Sequence, residues 1–241
     1  MGKSTIPQAR GHGSLTYQVR SQAYKHRIGY PLYTGEVEII SLIKSAAHSA
    51  PLMKLRTKSN VVSSNKQEIF FLPAFNGAIV GESIKFNSNE FLPGYVSAIK
   101  SIPTGTRIYC IELRPGDGGK AIRVAGSSAV VLKTLENGKV EAEMPNRKAL
   151  SLDPECRAVV GVIAGAGKNL KPMMKAGVAF YKMKSRNKLW PRTSAVKMNA
   201  VDHSFGGGRA KRIKSKIAKR NAPPGQKAGH VRPRRTGRKK R

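Results

Sequence analysis

The stretch that decides the fold runs Ala129-Val-Val-Leu-Lys-Thr-Leu135, then Glu136-Asn-Gly138, then Lys139-Val-Glu-Ala-Glu143. Asn137-Gly138 is the strongest short signal for a β-hairpin, and a run rich in β-branched or alternating residues lies on each side of it. A type I′ turn needs positive φ at both central residues, and Asn followed by Gly meets that need. The stretch therefore predicts two antiparallel strands joined by a turn of this type.

Further predicted strands lie on both sides of this hairpin. Each is a short run rich in Val, Ile or aromatic residues, without the spacing of an amphipathic helix. They are Glu36–Ile43, Gln67–Leu72, Thr106–Leu113 and Ala158–Ile163. Helix is expected only as a short turn near residues 127–130 or beyond Lys211. These elements predict a mainly β fold.

Two small barrels in tandem, with basic extensions at both ends, are the predicted architecture. The barrels are expected to span residues 35–90 and 91–167, between extensions of residues 1–34 and 168–241. The last segment contains 24 Lys and Arg residues and one acidic residue. Since so few of its residues are apolar, we expect it to order only against a partner.

The charge of the chain indicates the class of that partner. The 241 residues include 45 Lys and Arg against 13 Asp and Glu, a formal net charge of +32. Such a surface needs a dense counter-charge, and nucleic-acid phosphate is the commonest one. A membrane is not an expected partner, because no apolar run reaches the roughly 18 residues that span a bilayer. The N-terminus also lacks the apolar stretch of a signal peptide.

Aromatic residues alternate with basic ones in Phe180–Arg192, and this pattern favours RNA. Cations neutralise phosphates while flat rings stack on bases. Tyrosines also occur among Arg and Lys in residues 1–34, and two interpretations stay open for them. They either stack on bases or sugars, or pack back onto the body of the protein. These tyrosines are Tyr17, Tyr24, Tyr30 and Tyr33.

Patterns typical of enzymes are incomplete. The segment Gly161–Asn169 resembles a phosphate-binding loop, but Val162 stands where Gly is needed and Asn169 where Ser or Thr would bind magnesium. The adjacent residues 202–204 (Asp, His, Ser) cannot easily converge as a catalytic triad. Cys110 and Cys156 are interpreted as small buried residues, and the five histidines show no spacing for a metal. The chain is therefore not expected to be an enzyme.

The segment Met198–Arg209 is the most informative part of the basic extension. Asp202 is the only acidic residue among residues 156–241. We expect it to organise nearby groups through hydrogen bonds, or to bridge to RNA through an ion or water. The glycines that follow, residues 206–208, give a backbone able to lie flat against a neighbour.

The chain closely resembles the universal large-subunit ribosomal protein two family, in its archaeal and eukaryotic branch, with the archaeal form the better fit. The order and spacing of the shared motifs are specific and extend over nearly the whole chain. The motifs are Gly11–Ser14, Arg114–Lys120, Arg157–Gly165, Lys171-Pro172, Lys175–Gly177, Asn187 with Trp190–Arg192, Met198–His203, Gly206–Gly208, Asn221–Gly225 and Arg235–Arg238. Ser204 departs from the family pattern, which usually has Pro there.

The resemblance implies an oligonucleotide-binding-fold barrel followed by an SH3-like barrel. It implies a structural constituent of the large ribosomal subunit in the cytoplasm, bound to rRNA near the peptidyl-transferase region. Assembly, subunit association and translation would depend on it. Its partners would be large-subunit rRNA, neighbouring ribosomal proteins and, at an intersubunit bridge, the small subunit. No cofactor is expected, and the ions to be considered are magnesium ions bridging to rRNA.

The residues expected to contact rRNA follow from the charge pattern and the resemblance together. By its match to the family motif, His203 has the position most often discussed as functional, but a structural role in its loop is the favoured interpretation, because the catalytic centre is RNA. The expected contacts are Arg10, His12, Lys168, Lys171, Lys184, Arg186, Trp190, Arg192, Met198, Asn199, Asp202, His203, Gly206, Gly207, Gly208, Arg209, Lys211, Arg212, Arg220, Arg235 and Arg238. The alternative function is that of an RNA-binding or architectural protein outside the ribosome.

Overall fold

The fold was obtained as a computed structural model. It describes residues 3–4, 6–19, 21–58, 67–208, 217–218, 221 and 229–231. The chain divides into two compact units. One, which we call the body, comprises Ser21–Met174, and the other, which we call the terminal unit, comprises Met1–Arg20 and Lys175–Arg241. The four segments expected from the sequence stay a prediction.

Ten strands of the body form one hydrogen-bonded sheet, and the expectation of a mainly β fold is confirmed. The strands are β1 Gly35–Ile43, β2 Leu52–Thr57, β3 Ile69–Pro73, β4 Ser83–Phe86, β5 Val96–Ala98, β6 Arg107–Tyr109, β7 Ala129–Thr134, β8 Val140–Glu143, β9 Ala149–Leu152 and β10 Arg157–Val160. Their order is β3-β2-β1-β4-β5-β10-β6-β7-β8-β9. Among these strands β4 and β5 pair in parallel, and the other neighbours pair antiparallel.

The remaining elements are short. The body contains 3₁₀ helices at Ile99–Ser101 and Ala166–Asn169. The described parts of the terminal unit contain helices α1 (Ile6–Gly11) and α2 (Ala176–Ser185), a 3₁₀ helix at Ala195–Lys197, and the two-residue parallel strands β11 (Ile217–Ala218) and β12 (His230–Val231).

Strand β1 shows how the sheet buries its apolar residues. Val37 and Ile39 are fully buried, whereas the intervening Glu36 and Glu38 form ion pairs with side chains near or on β2. This alternation follows from the two-residue period of a strand. Each fully buried Val, Leu, Ile or Phe contributes about 1.5–3 kcal/mol relative to an exposed position. Buried side chains of this kind form two clusters along the sheet.

The hairpin of β7 and β8 exists as predicted, but the predicted turn type is wrong. Positive φ occurs at Gly138 (+76°) and not at Asn137. The N–H of Gly138 donates to the carbonyl of Leu135 at 2.9 Å, and the N–H of Leu135 donates to the carbonyl of Lys139 at 2.7 Å. The loop therefore has three residues and ends in a left-handed glycine, the next commonest way to join two strands.

The helix expectation near residues 127–130 is wrong, because Ala129 already begins β7. Residues 209–216 lie outside the described part, so the alternative beyond Lys211 stays largely untested. Helix α2, in contrast, was not predicted. Its residues are apolar on more than one face, with Val178 half-exposed, and no side chain caps its N-terminus. The usual signals of a helix start and of an amphipathic stripe are therefore weak.

A buried ion pair holds three segments of the body together. The guanidinium of Arg157 donates to Glu112 Oε1 at 2.9 Å and to the carbonyl of Pro31 at 2.8 Å. Glu112 Oε1 also accepts the N–H of Gly118 at 3.1 Å. The network thus joins β10, the loop after Glu112 and residues near Pro31. Sequence reasoning missed it, because an acidic residue in a predicted strand does not reveal its partner.

The tyrosines of the N-terminal segment divide between the two interpretations. Tyr30 and Tyr33 are buried in the body. The guanidinium carbon of Arg157 lies 4.7 Å from the centre of the Tyr30 ring. Burial raises the pKa of the Tyr30 hydroxyl well above its usual value. Tyr24 is exposed and Tyr17 is half-buried. Packing onto the body is therefore correct for Tyr30 and Tyr33, and stacking on RNA stays open for the other two.

Candidate nucleic-acid interface

The described residues of the predicted interface are distributed over both units. Lys168 and Lys171 belong to the body. The terminal unit contains Arg10, His12, Lys184, Arg186, Trp190, Arg192, Met198, Asn199, Asp202, His203, Gly206, Gly207 and Gly208. Predicted contacts that lie outside the described residues are Arg209, Lys211, Arg212, Arg220, Arg235 and Arg238.

Residues 198–208 form a loop that is closed by its own backbone. The carbonyl of Asn199 accepts the N–H groups of Asp202 at 3.0 Å and of His203 at 3.2 Å. The carbonyl of His203 in turn accepts the N–H of Gly206 at 2.9 Å. Because these bonds form within a few residues, the loop can hold its shape with little apolar burial.

Gly206 is required by a close approach of backbone. The residue is buried, and a Cβ atom there would overlap the carbonyl oxygens of Met198 and Asn199. Gly207 has φ of +71°, where a Cβ atom would lie 2.8 Å from that of Ala200. Two of the glycines expected to lie flat against RNA therefore fold the loop onto itself, and Gly207 remains exposed.

Asp202 connects the N-terminal and the C-terminal segment of the terminal unit. Its Oδ1 lies 3.0 Å from the ammonium of Lys3, and the N–H of Lys3 donates to the carbonyl of Val201 at 2.9 Å. The acid thus organises a neighbouring cation, which is the first of its two expected roles. Both side chains remain well exposed, so the pair itself contributes no more than about 1 kcal/mol.

His203 is held by Phe205. The N–H of Phe205 donates to His203 Nδ1 at 3.1 Å, and the two rings are 4.8 Å apart at 59°. With Nδ1 accepting, a neutral imidazole has its proton on Nε2, where it can donate to a phosphate or ribose oxygen. The contacts of His203 are those of a residue that shapes its loop.

Two exposed cations of the terminal unit lie beside aromatic rings. On α2 the ammonium of Lys184 is 5.9 Å from the centre of the Phe180 ring, one helical turn away. In the N-terminal part the guanidinium of Arg10 is 5.9 Å from the ring of Tyr17. Arrangements of this kind place a flat surface next to a positive charge, which suits both parts of a nucleotide.

The two cysteines of the body are not suited to nucleophilic catalysis. Cys110 and Cys156 are free and buried, as expected. Burial raises the pKa of the Cys110 thiol to about 12 and that of Cys156 to about 11, so both stay protonated at neutral pH. Among the described residues, no three His, Cys, Asp or Glu side chains come together as metal ligands would. Nor does any helix of the described part have the length and apolar character to cross a membrane.

A chain that combines a β-rich body with a strongly basic unit carrying exposed aromatic rings belongs to the class of nucleic-acid-binding proteins. The model of the C-terminal domain of ribosomal proteins L2 matches residues 92–227. The chain belongs to this ribosomal protein family.

Curated relatives match nearly the whole chain. The large ribosomal subunit protein uL2 of Archaeoglobus fulgidus is 40% identical over 98% of this chain and 99% of its own length. The protein of the same name from Hyperthermus butylicus is 37% identical over the full length of both chains. That of Natronomonas pharaonis is 39% identical over 99% of this chain and 97% of its own. The archaeal character expected from the resemblance is therefore confirmed.

Proposed function

We propose that this chain is a structural constituent of the large ribosomal subunit, located in the ribosome and hence in the cytoplasm, and that it is not an enzyme. It binds large-subunit rRNA and neighbouring ribosomal proteins. The terminal unit is the main rRNA-binding part and lies near the peptidyl-transferase region. By supporting assembly and contributing to an intersubunit bridge with the small subunit, the chain supports translation.

The distribution of charge between the two units carries this proposal. The terminal unit contains 25 Lys and Arg residues and one acid, whereas the body contains 20 and 12. That one acid, Asp202, is already paired with Lys3. The other cations of the terminal unit therefore need a dense external counter-charge, which rRNA provides along its whole backbone.

The loop of residues 198–208 positions groups that contact rRNA. Its backbone bonds and the His203–Phe205 contact shape it before RNA arrives. This reduces the entropy lost on binding. His203 is a structural and RNA-contacting residue in this proposal, while the chemistry of peptide transfer belongs to RNA. Any magnesium ions at this surface bridge to rRNA phosphates and are held largely by RNA.

Sedimentation of a cell lysate in a sucrose gradient tests the proposal directly. The protein, followed across fractions at low and moderate salt, is expected to migrate with large subunits. A protein found only in light fractions, or removed at once by moderate salt, would instead favour an RNA-binding protein outside the ribosome.

A charge-neutralised variant tests which unit carries the binding. Replacing Lys184, Arg186 and Arg192 by Gln should reduce the slope of log affinity for isolated rRNA against log salt by about 0.7 for each lost phosphate contact. The matched control replaces three exposed lysines of the β7–β9 region, Lys133, Lys139 and Lys148. An equal change in both variants would contradict the assignment of binding to the terminal unit.

A further inference from the structure

A groove of about 370 Å³ lies within the terminal unit. Phe180 and Trp190 give it two aromatic rings, and Leu15 adds an aliphatic wall. Lys184 and Lys188 line the same groove. Its volume falls within the ~300–1,000 Å³ of typical small-molecule sites. The groove therefore combines flat apolar walls with positive charge at its edge.

Asn187, which also lines the groove, closes helix α2 in a left-handed conformation. Its φ is +51°, and its N–H donates to the carbonyl of Lys184 at 3.2 Å. The N–H of Lys188 donates to the carbonyl of Met183 at 2.9 Å. These two bonds form a Schellman motif, in which Gly is preferred at the left-handed position and Asn is the usual second choice. Helix closure explains the backbone of Asn187 but not its amide.

The amide of Asn187 has a property that helix closure leaves unexplained. Its Nδ2 is buried, with no hydrogen-bond partner among the described residues. A buried donor without a partner costs about 1–3 kcal/mol. A bound group with an acceptor atom would remove this cost if the amide turns from its buried position into the groove that Asn187 lines.

We propose that this groove binds one unstacked nucleobase of an RNA chain. The inference rests on the proposed function and adds to it a particular site. The base stacks against Phe180 and Trp190, and an acceptor on its edge receives the Asn187 amide. Lys184 and Lys188 neutralise the phosphates on either side.

The chemistry of the groove favours a nucleotide over an apolar peptide or a lipid. A purely apolar ligand would leave the Asn187 donor unpaired and would gain nothing from two ammonium groups. A nucleotide supplies a π-face, an edge acceptor and a negative charge within one unit. Asn is also a common partner of base edges, since its amide can both donate and accept.

Trp190 reports on occupancy, because it is the only tryptophan of the chain. The full-length protein is titrated with a short single-stranded adenylate oligomer and with an abasic ribose-phosphate oligomer of the same length. The adenylate oligomer should quench Trp190 fluorescence and bind on the order of tenfold more tightly than the abasic one, because stacking contributes about 1–3 kcal/mol per base. Equal affinity without quenching by adenylate would overturn the proposal.

Asn187→Gly is the sharpest variant, because Gly keeps the left-handed helix closure and removes only the amide. Its far-UV circular dichroism should match that of the wild type, and its melting temperature should be higher, because the unpaired donor and the left-handed strain are both removed. Its affinity for the adenylate oligomer should fall roughly fivefold, the equivalent of one lost hydrogen bond, while its affinity for the abasic oligomer stays constant. Unchanged affinity for both oligomers would overturn the role of the amide.

A second pair of variants separates the groove from general aromatic content. Phe180→Leu removes a ring that lines the groove, and Tyr181→Leu removes its exposed neighbour, which does not line it. Only Phe180→Leu should weaken adenylate binding, by about fivefold or more. Suppose that both oligomers bind with a steep salt dependence and that their affinities are the same for all variants. The base site is then wrong, and the proposed function is still supported. If neither oligomer nor rRNA binds, both are wrong.

Discussion

The body and the terminal unit keep their structure by different means. Among the described residues, every buried apolar side chain except Ala179 belongs to the body. The described terminal unit relies on local backbone bonds, the Lys3–Asp202 pair and close packing at Gly206. Apolar burial offsets the loss of chain entropy on folding, so the body needs no binding partner. Local bonds do not compensate the charge of the terminal unit, which has 25 basic residues and one acidic residue.

The two units differ in charge as well as in apolar burial, and the difference suits them to two tasks. The body has a much smaller excess of positive charge, 20 basic against 12 acidic residues, and its sheet packs around two apolar clusters. The terminal unit differs in both respects, because its described residues expose cations and aromatic rings and bury few apolar side chains. A change in the body should therefore alter the free energy of unfolding, while a change in the terminal unit should alter binding.

The largest effect is expected at the buried ion pair of the body. Glu112→Ala leaves the charge of Arg157 buried and unpaired, and should lower the free energy of unfolding by about 4 kcal/mol. Urea unfolding followed by far-UV circular dichroism measures this. Glu155→Ala is the matched control, since it removes the exposed ion pair with Lys100 and should cost less than about 1 kcal/mol. An equal loss of free energy of unfolding in the two variants would show that burial does not determine how much an ion pair contributes to stability.

A truncation of leucine in each unit compares their cores. Leu55 is fully buried in the body, so Leu55→Ala should cost about 3 kcal/mol. Leu15 in the terminal unit is 87% exposed, so Leu15→Ala should change the free energy of unfolding by less than about 0.5 kcal/mol. Both values come from the same urea transition. A large loss at Leu15 would mean that the terminal unit shares the core of the body.

A smaller effect, with the opposite sign, is expected in the hairpin loops. Residues 144–148 repeat the bonds of the β7–β8 loop, but Arg147 occupies the left-handed position with φ of +61°. Arg147→Gly removes that strain and should raise the free energy of unfolding by about 0.5–1 kcal/mol, after allowing for the chain entropy of Gly.

The reverse substitution in the neighbouring loop is its control. Gly138→Arg introduces the same strain and should lower the melting temperature of the protein. If both substitutions lower it, the side chain of Arg147 stabilises its loop in a way that outweighs the strain.

The smallest effect on unfolding is expected in the terminal unit. Gly206→Ala should disrupt the loop of residues 198–208, because the added methyl overlaps two carbonyl groups. The urea transition of the body should shift by less than about 0.5 kcal/mol, while co-sedimentation with large subunits should decrease. A lowered urea transition together with normal co-sedimentation would reverse the roles given to the two units.

Sequence alone predicted the longest strand and several others, but it missed the six-residue β2, Leu52–Thr57. The runs Glu36–Ile43 and Ala129–Leu135 correspond to β1 and β7 within a residue or two. Strands β4 and β5, with four and three residues, are too short for alternation to be recognised. Helix α2 was missed because its pattern of basic and aromatic residues was interpreted only as an RNA surface.

The candidate site divides in the same way. Lys184, Trp190 and His203 could be named from composition and motif, since charge and aromatic content are properties of the residues themselves. The roles of Lys3 and Asn187 could not be predicted from the sequence. Lys3 depends on a partner, Asp202, that folding brings near it, and Asn187 depends on the burial of its amide without a partner among the described residues.

By itself the sequence determined that this protein is mainly β, binds a polyanion and belongs to a ribosomal family. Charge, strand period and motif order are carried by the order of residues and need no coordinates. Only the tertiary structure decided that Glu112 neutralises Arg157, that Gly206 packs against the backbone near Asn199, and that Asn187 lines a groove. These contacts depend on distances across the fold, which local pattern does not determine.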